Sequence, residues 1–285
     1  MQKVIKDLSI VCATLGSNKK ISNLLESIMV GSHLPSEIII VTYDLLTIKE
    51  IIKKLKIKGV ELKIIISVRA AQVFQRNLGI NAASGQYILQ CDDDIQMFID
   101  SIGELYKFIT LKNFTVVSPR VIMTDGKSIY LKNKFSEFLN KFIFLLFNFK
   151  WPNNSMQLSI SGRNYSPVSL HDNAKNEWLP SCLIYNKELF KIATTYEDLA
   201  GKGYFEDIIF THSLYKNGVD LIVAKKVFFL HPKIDSIGYD SLFSIFRKQI
   251  IVCRIFKLNK YAAYLDIFLY TFFASLLKFK KCFSI

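Results

Sequence analysis

At 285 residues, with 51% hydrophobic and 13% aromatic side chains, the chain can bury a sizeable core, which excludes a disordered protein. A formal net charge of +13 attracts anions such as nucleic acid, acidic lipid headgroups or phosphorylated substrates. Five scattered cysteines without a Cys-x-x-Cys pair argue against a disulfide framework or zinc ribbon and point to a reducing compartment.

The apolar run at residues 8–15 predicts a first strand, and Ile21, Leu24, Leu25 and Ile28 behind it recur at helical spacing. Strands are expected at 36–44, 60–67, 85–92 and 115–123, and helices between them at 46–56, 73–84 and 97–109. Such alternation with short connections predicts an α/β domain, a mostly parallel sheet with helices on both faces. Ligands of such sheets bind outside the carboxyl ends of the strands. Thr14 with its following turn, Asp44 and the triplet Asp92, Asp93 and Asp94 fall at such ends. The alternation then breaks. Phe135, Phe138, Leu139, Phe142, Leu146 and Phe149 share one face of a predicted helix, followed by a polar stretch. Residues 177–190 return to a sheet-like pattern, 203–218 to a helix and 219–231 to a strand. No clean linker appears, which predicts one domain over 1–238 with a helical extension over 239–285.

Strand alternation would point Asp92 and Asp94 to one side and Asp93 to the other. Two converging carboxylates suit a hard divalent cation, Mg²⁺ or Mn²⁺, that also bridges phosphates. The competing reading is a solvated acidic loop, with Asp94 capping the next helix. Glu206 and Asp207 at a helix start fit either the macrodipole or a general base that accepts a proton from an attacking hydroxyl. His231, at the end of a strand, is a structural residue or an imidazole ligand beside the carboxylates. The segment TLGSNKK could cradle a phosphate, but it lacks the spacing of a P-loop.

In the tail, residues 241–258 wind into an amphipathic helix. Leu242, Ile245, Phe246, Val252, Cys253 and Phe256 lie on one side, and Arg247, Arg254 and Lys257 opposite. Such a helix either packs on the domain with a wet basic face or lies in the interface of an anionic membrane, and the second apolar stretch with a basic end that follows it favours the membrane. The longest apolar run, 261–277, is interrupted by Asp266 and falls short of the roughly 20 residues that a spanning helix needs. The N-terminus lacks the apolar stretch of a signal peptide.

The chain resembles the inverting family 2 glycosyltransferases with the GT-A fold, over residues 8 to 232. The most specific part is QRNLGINAASGQYILQCDDD, where Arg76, Asn77, Gly79, Ala82, Ala83, Gly85, Asp92 and Asp94 fall into the family's pattern. The resemblance implies a nucleotide-sugar donor held by residues 1–120 and an acceptor held by 121–238. Thr14 is kept from the family's first strand end. Asp44 would bind the base, and Arg76, Asn77, Asp92 and Asp93 would lie at the nucleotide sugar. Asp94 and His231 would hold Mn²⁺ or Mg²⁺, and Asp207 would be the catalytic base with Glu206 beside it. The absence of Gln-x-x-Arg-Trp implies transfer of a single sugar, in synthesis of a bacterial surface polysaccharide. The acceptor would be a saccharide or a lipid-linked saccharide, and the enzyme would sit on the inner face of the cytoplasmic membrane, docked on its anionic surface. A nucleotidyltransferase acting on sugar phosphates and a non-catalytic membrane-surface protein are the rival readings. No nucleic-acid-binding motif accompanies the charge, and nucleic acid is not expected as a partner.

Overall fold

The computed structural model describes residues 2–14, 18–46, 59–112, 114–123, 134–167, 175–199, 205–232 and 239–283. The helix expected at 46–56 lies outside them apart from Leu46, as does the turn at 15–17. The chain divides into two compact units, one of residues 1–131 and 171–235, the other of residues 132–170 and 236–285.

The first unit is built on an eight-stranded sheet. Strands β1 (Lys3–Thr14), β2 (His33–Thr42), β3 (Glu61–Ile66) and β4 (Tyr87–Asp92) form its parallel half, in the order β3-β2-β1-β4. Helices α1 (Asn18–Met29) and α2 (Gln72–Ala82) accompany these strands. The short strand β5 (Gln96–Met97) and helix α3 (Ser101–Thr110) lead to β6 (Thr115–Met123). Beyond β4 the order continues β9 (Leu183–Asn186), β6, β10 (Asp220–His231), β5, where β7 and β8 belong to the second unit. The sheet is mostly parallel, as expected, with two antiparallel members. Strand β9 lies antiparallel between β4 and β6, and β5 closes the edge antiparallel to β10. The core is aliphatic because the central strands are covered on both faces. Ile10, Cys12, Ile38, Ile40, Leu89 and Cys91 are buried there with Leu24 and Ile28 of α1.

Two glycines of the QRNLGINAASG run have a packing reason. A Cβ on Gly79 would meet Val11 Cγ1 at 2.5 Å and Val41 Cγ2 at 3.0 Å, so only glycine lets α2 lie directly on β1 and β2. A Cβ on Gly85 would come within 2.8 Å of the Asp7 carbonyl and the Ser9 amide. Ser84 and Gly85 are tied to the sheet by Glu37, whose carboxylate accepts from Ser9, from the Ser84 amide and hydroxyl, and from Lys63. Burial works to raise the Glu37 carboxyl, but these donors hold it at about 2.

The second unit holds α4 (Lys134–Asn148), the short pair β7 (Gln157–Leu158) and β8 (Asn164–Tyr165), α6 (Tyr239–Ile255) and α7 (Lys260–Phe283). Here α5 is the helix Glu206–Lys216 of the first unit. On α4 the described members of the predicted apolar face are mostly exposed, and a neighbouring stripe is buried. Ile143, Phe144 and Phe147 are buried, whereas Phe138, Leu146 and Phe149 are exposed. Residues 142–147 are apolar without interruption, so period alone offers more than one stripe. Packing of Ile143 and Phe147 with Ala262 selects another.

Asp266, which breaks the apolar run of α7, is fully buried. It accepts from Ser161 Oγ at 2.7 Å, from Arg163 Nε at 2.7 Å and from Gln249 Nε2 at 3.1 Å, which pins α6, α7 and the β7–β8 turn together. Removing one member of such a pair leaves a buried charge. Asp266→Ala is expected to destabilise this unit by roughly 3–5 kcal/mol, read as a lower melting temperature.

Candidate active site

The candidate site is assembled at the carboxyl ends of β1, β2 and β4 by α2. With Gly79 seating α2 on the sheet, Gln75 points inward. Its Nε2 donates to the carbonyls of Thr14 at 2.9 Å and Val41 at 3.3 Å, joining two strand ends. Three residues past Val41, Asp44 forms an Asx turn in which its Oδ1 accepts from the Leu46 amide at 3.1 Å. Gln72 and Arg76, on the same helical face, reach Asp92 at the end of β4. Asp92 accepts from Gln72 Nε2 at 3.1 Å, from Arg76 Nη2 at 2.8 Å and from Ser181 Oγ at 2.6 Å.

The three aspartates do not alternate as a strand would have them. The strand ends at Asp92, and Asp93 and Asp94 lie in a turn, so Asp92 and Asp94 meet different partners. Asp93 accepts from the Thr14 hydroxyl at 2.7 Å. Burial pushes the Asp93 carboxyl up, and the Thr14 bond partly opposes this. Asp94 Oδ2 accepts from Lys20 Nζ at 2.9 Å, and its Oδ1 lies 3.4 Å from His231 Nε2. Asp94 does not cap a helix, since α3 begins only at Ser101.

Asp94 and His231, more than 130 residues apart in sequence, are therefore neighbours. His231 Nδ1 is 2.6 Å from the Pro232 carbonyl. As the donor in that bond, Nδ1 would leave the Nε2 lone pair directed at Asp94, the tautomer that a metal-ligating imidazole adopts. A carboxylate oxygen beside an imidazole nitrogen fits Mn²⁺ or Mg²⁺. Among the described residues no three His, Cys, Asp or Glu side chains gather into a self-sufficient metal site. Such a cation would complete its shell with ligand oxygens and water, as Mg²⁺ commonly does on substrate phosphates.

Behind Asp92, Arg76 continues to a second carboxylate. Its Nη1 donates to Glu206 Oε1, and both side chains are more than nine-tenths buried. Arg76 Nε is also buried, with no acceptor among the described residues. Glu206 and Asp207 open α5 directly after Phe205, whose φ of 68° is rare for a bulky residue and marks local strain. Asp207 is pushed up to about 7, chiefly by burial and then by the adjacent Glu206 charge. The Ile208 amide and Arg76 draw it down. Asp207, Glu206, Arg76 and Asn77 line a small, partly open cleft. Asn77 Nδ2 donates there to Glu197 Oε1 at 2.8 Å and Thr195 Oγ1 at 3.1 Å.

The structure thus groups the sequence-predicted residues in three sets. Arg76, Asn77, Asp92, Glu206 and Asp207 are linked by hydrogen bonds or the shared cleft; Thr14 is bonded to Asp93; Asp94 lies against His231. Asp44 lies two residues past the end of β2, whose Val41 carbonyl Gln75 ties to the Thr14 carbonyl. Gln72, Gln75 and Ser181 were missed. Gln72, Gln75 and Arg76 are spaced i, i+3, i+4, which makes the two glutamines legible once the helix is predicted. Ser181 lies in a loop with no local signal.

A profile of Glycosyl transferase family 2 matches residues 9–164, more than half of the chain. No curated protein matches significantly. Among solved structures, S. aureus TarS 1-349 in complex with UDP-GlcNAc is 17% identical, with a TM-score of 0.59 over 92% of this chain and 70% of that one. GalNAc-T7 with UDP, GalNAc and Mn²⁺ is 12% identical, with a TM-score of 0.62 over 87% of this chain and 48% of that one. Against the longer S. aureus TarS structure the match covers 87% of this chain but only 39% of the other, at a TM-score of 0.55 and 17% identity. At these identities the likeness is one of fold.

Proposed function

Because the chain belongs to glycosyl transferase family 2 and has the GT-A fold, we propose that it moves one sugar from a nucleotide-sugar donor to a hydroxyl acceptor, with inversion. The observation that carries this reading is Asp207. It is a buried carboxyl held near neutrality in a cleft, joined through Glu206 and Arg76 to the strand end that bears the donor-side aspartates. A general base works best with such a value. Asp207 takes the proton of the acceptor hydroxyl, whose oxygen bonds to the anomeric carbon from the face opposite the leaving group. The nucleoside diphosphate departs with the bonding pair, and single displacement inverts the centre. Glu206 does not compete as base, since its charge is committed to Arg76.

Asp94 and His231 would hold Mn²⁺ or Mg²⁺. When bound, the cation supplies positive charge to the departing diphosphate. Asp44, Thr14, Asp93 and Asp92 are assigned to the nucleotide side, and Arg76 and Asn77 to the junction between donor and acceptor. The structural neighbours include complexes with UDP and UDP-GlcNAc, so a UDP-sugar is the first donor class to test. For the acceptor we propose a lipid-linked saccharide of a surface polysaccharide, reached by an enzyme seated on the inner face of the cytoplasmic membrane through residues 239–285. In support, the net charge is +13, and among the described residues no helix is long and apolar enough to cross a membrane.

The test is a thermal-shift titration. UDP with Mn²⁺ is expected to raise the melting temperature, by an amount equivalent to about 2.7 kcal/mol at a hundred times Kd. Asp94→Ala is expected to remove the Mn²⁺-dependent part. A shift of equal size without metal, or one retained in Asp94→Ala, rejects the assignment of Asp94.

A further inference from the structure

Four exposed aromatic side chains of the second unit, together with one leucine, lie on one face of α7, apart from the singly exposed Phe138, Phe149, Trp151 and Phe243 elsewhere in the unit. Tyr261, Tyr264, Leu265, Phe268 and Phe272 are each at least half exposed. At helical spacing they fall within an arc of roughly 100°. The opposite face is already used, with Ala262, Ala263 and Asp266 buried and Ala262 packed with Ile143 and Phe147. Phe268 and Phe272 stack on each other at 6.3 Å. The helix is therefore inverted relative to an ordinary surface helix, with its carboxylate inside and its aromatic residues outside.

The surrounding charge identifies what such a face fits. Lys257 and Lys260 are exposed at its start, and the helix runs on to Phe283 through a sequence carrying Lys278, Lys280 and Lys281. From Lys257 to Ile285 the sole acidic residue is Asp266, and Arg163 and Ser161 hold it in the interior. An aromatic stripe whose exposed charged neighbours, Lys257 and Lys260, are both basic matches an anionic bilayer surface, where rings sit at headgroup level and lysine stems reach the phosphates. A second copy of the chain fits poorly, because a twofold contact would set these lysines against one another. At 24 residues the helix is about 36 Å long, suited to lying along the interface. On α6, Val252 and Cys253 of the expected apolar side are buried and Ile245 and Phe246 are partly buried, so that side is less available than the stripe of α7.

We infer that α7, through Tyr261, Tyr264, Leu265, Phe268 and Phe272, is the element that docks the protein on an anionic lipid bilayer. The inference rests on the membrane part of the proposed function and names the face responsible. The experiment is flotation of the full-length protein with phosphatidylcholine vesicles, with and without phosphatidylglycerol. Wild type is expected to float with the anionic vesicles, and Tyr264→Ser with Phe268→Ser to lower partitioning about a hundred-fold. Both side chains are exposed, so the double variant should keep its melting temperature and its UDP-Mn²⁺ shift. Arg247→Glu with Arg254→Glu, on α6, should lower binding less. Binding lost in the α6 pair and kept in the α7 pair overturns the inference while leaving membrane attachment standing. Wild type that floats with neither vesicle overturns both, whatever its activity on a soluble acceptor. A lipid-free dimer that Phe268→Ser dissociates overturns it in favour of self-association.

Discussion

Asp207→Asn is expected to lower sugar transfer by about 10²–10⁴-fold and, at pH 8, to raise the melting temperature. Both effects have one cause. Burial holds the Asp207 carboxyl at about 7, against an ordinary 3.8. Below pH 3.8 the folded and unfolded chains both carry the proton, and the group does not disfavour folding. Between 3.8 and 7 the unfolded chain releases the proton while the folded chain keeps it, so stability falls as pH rises. Above 7 the folded chain holds a buried carboxylate, a penalty of roughly 4 kcal/mol at 1.36 kcal/mol per pH unit. Asparagine carries no charge there, and its Oδ1 can still accept from the Ile208 amide, as Asp207 does at 2.9 Å. The variant should therefore lack this downward slope and exceed wild type most at pH 8. For transfer the sign is opposite. The base must be ionised, so wild-type rate rises with pH through about 7 and levels off, and the variant should lose about 10²–10⁴-fold. The UDP-Mn²⁺ shift should survive, because Asp207 lies on the acceptor side of the proposed site. Retained transfer reassigns the base. A lower melting temperature at pH 8 shows that the folded protein uses the negative charge.

How much of this was legible beforehand depends on the range of the interaction. Thr14, Asp44 and the aspartate triplet sit at strand ends that hydrophobic runs mark locally, and the structure has them there. The dense run from Arg76 to Gly85 was readable as a pattern, but its reason is packing. Gly79 is needed because Val11 and Val41 lie beneath it, and no local rule shows which strands a helix will cross. The pairing of Asp94 with His231 depends on β10 running beside β5 and β6, a consequence of topology. Strand alternation does not extend to the whole triplet, because β4 ends at Asp92 and a turn directs Asp93 and Asp94 separately. The exposed apolar side chains of α4 have a different origin. A helix apolar at successive positions contains several possible stripes, and only its neighbours decide among them. Asp266 reads as a mere interruption in sequence, because its partner Arg163 lies a hundred residues away.

Arg76→Met should be the most destabilising single substitution in the site, by roughly 3–5 kcal/mol. The guanidinium is buried between two carboxylates, with Nη1 to Glu206 and Nη2 to Asp92 at 2.8 Å. Burial disfavours its charge, and the paired Glu206 and Asp92 more than restore it. Methionine fills the volume but leaves Glu206 inside with no countercharge from position 76. Lysine cannot replace it, since a single ammonium lacks the fork that spans both partners. Partial rescue by Glu206→Gln in the Arg76→Met background is the specific expectation, measured as a double-mutant cycle of melting temperatures. The substitution also reaches the chemistry without touching the acceptor. Arg76 draws the Asp207 carboxyl down, so its loss should raise that carboxyl further and move the rise of the rate profile to higher pH. A variant with lower stability but an unmoved pH profile would confine Arg76 to the architecture. A moved profile, restored toward wild type by Glu206→Gln, would make it the residue that sets the working range of the base.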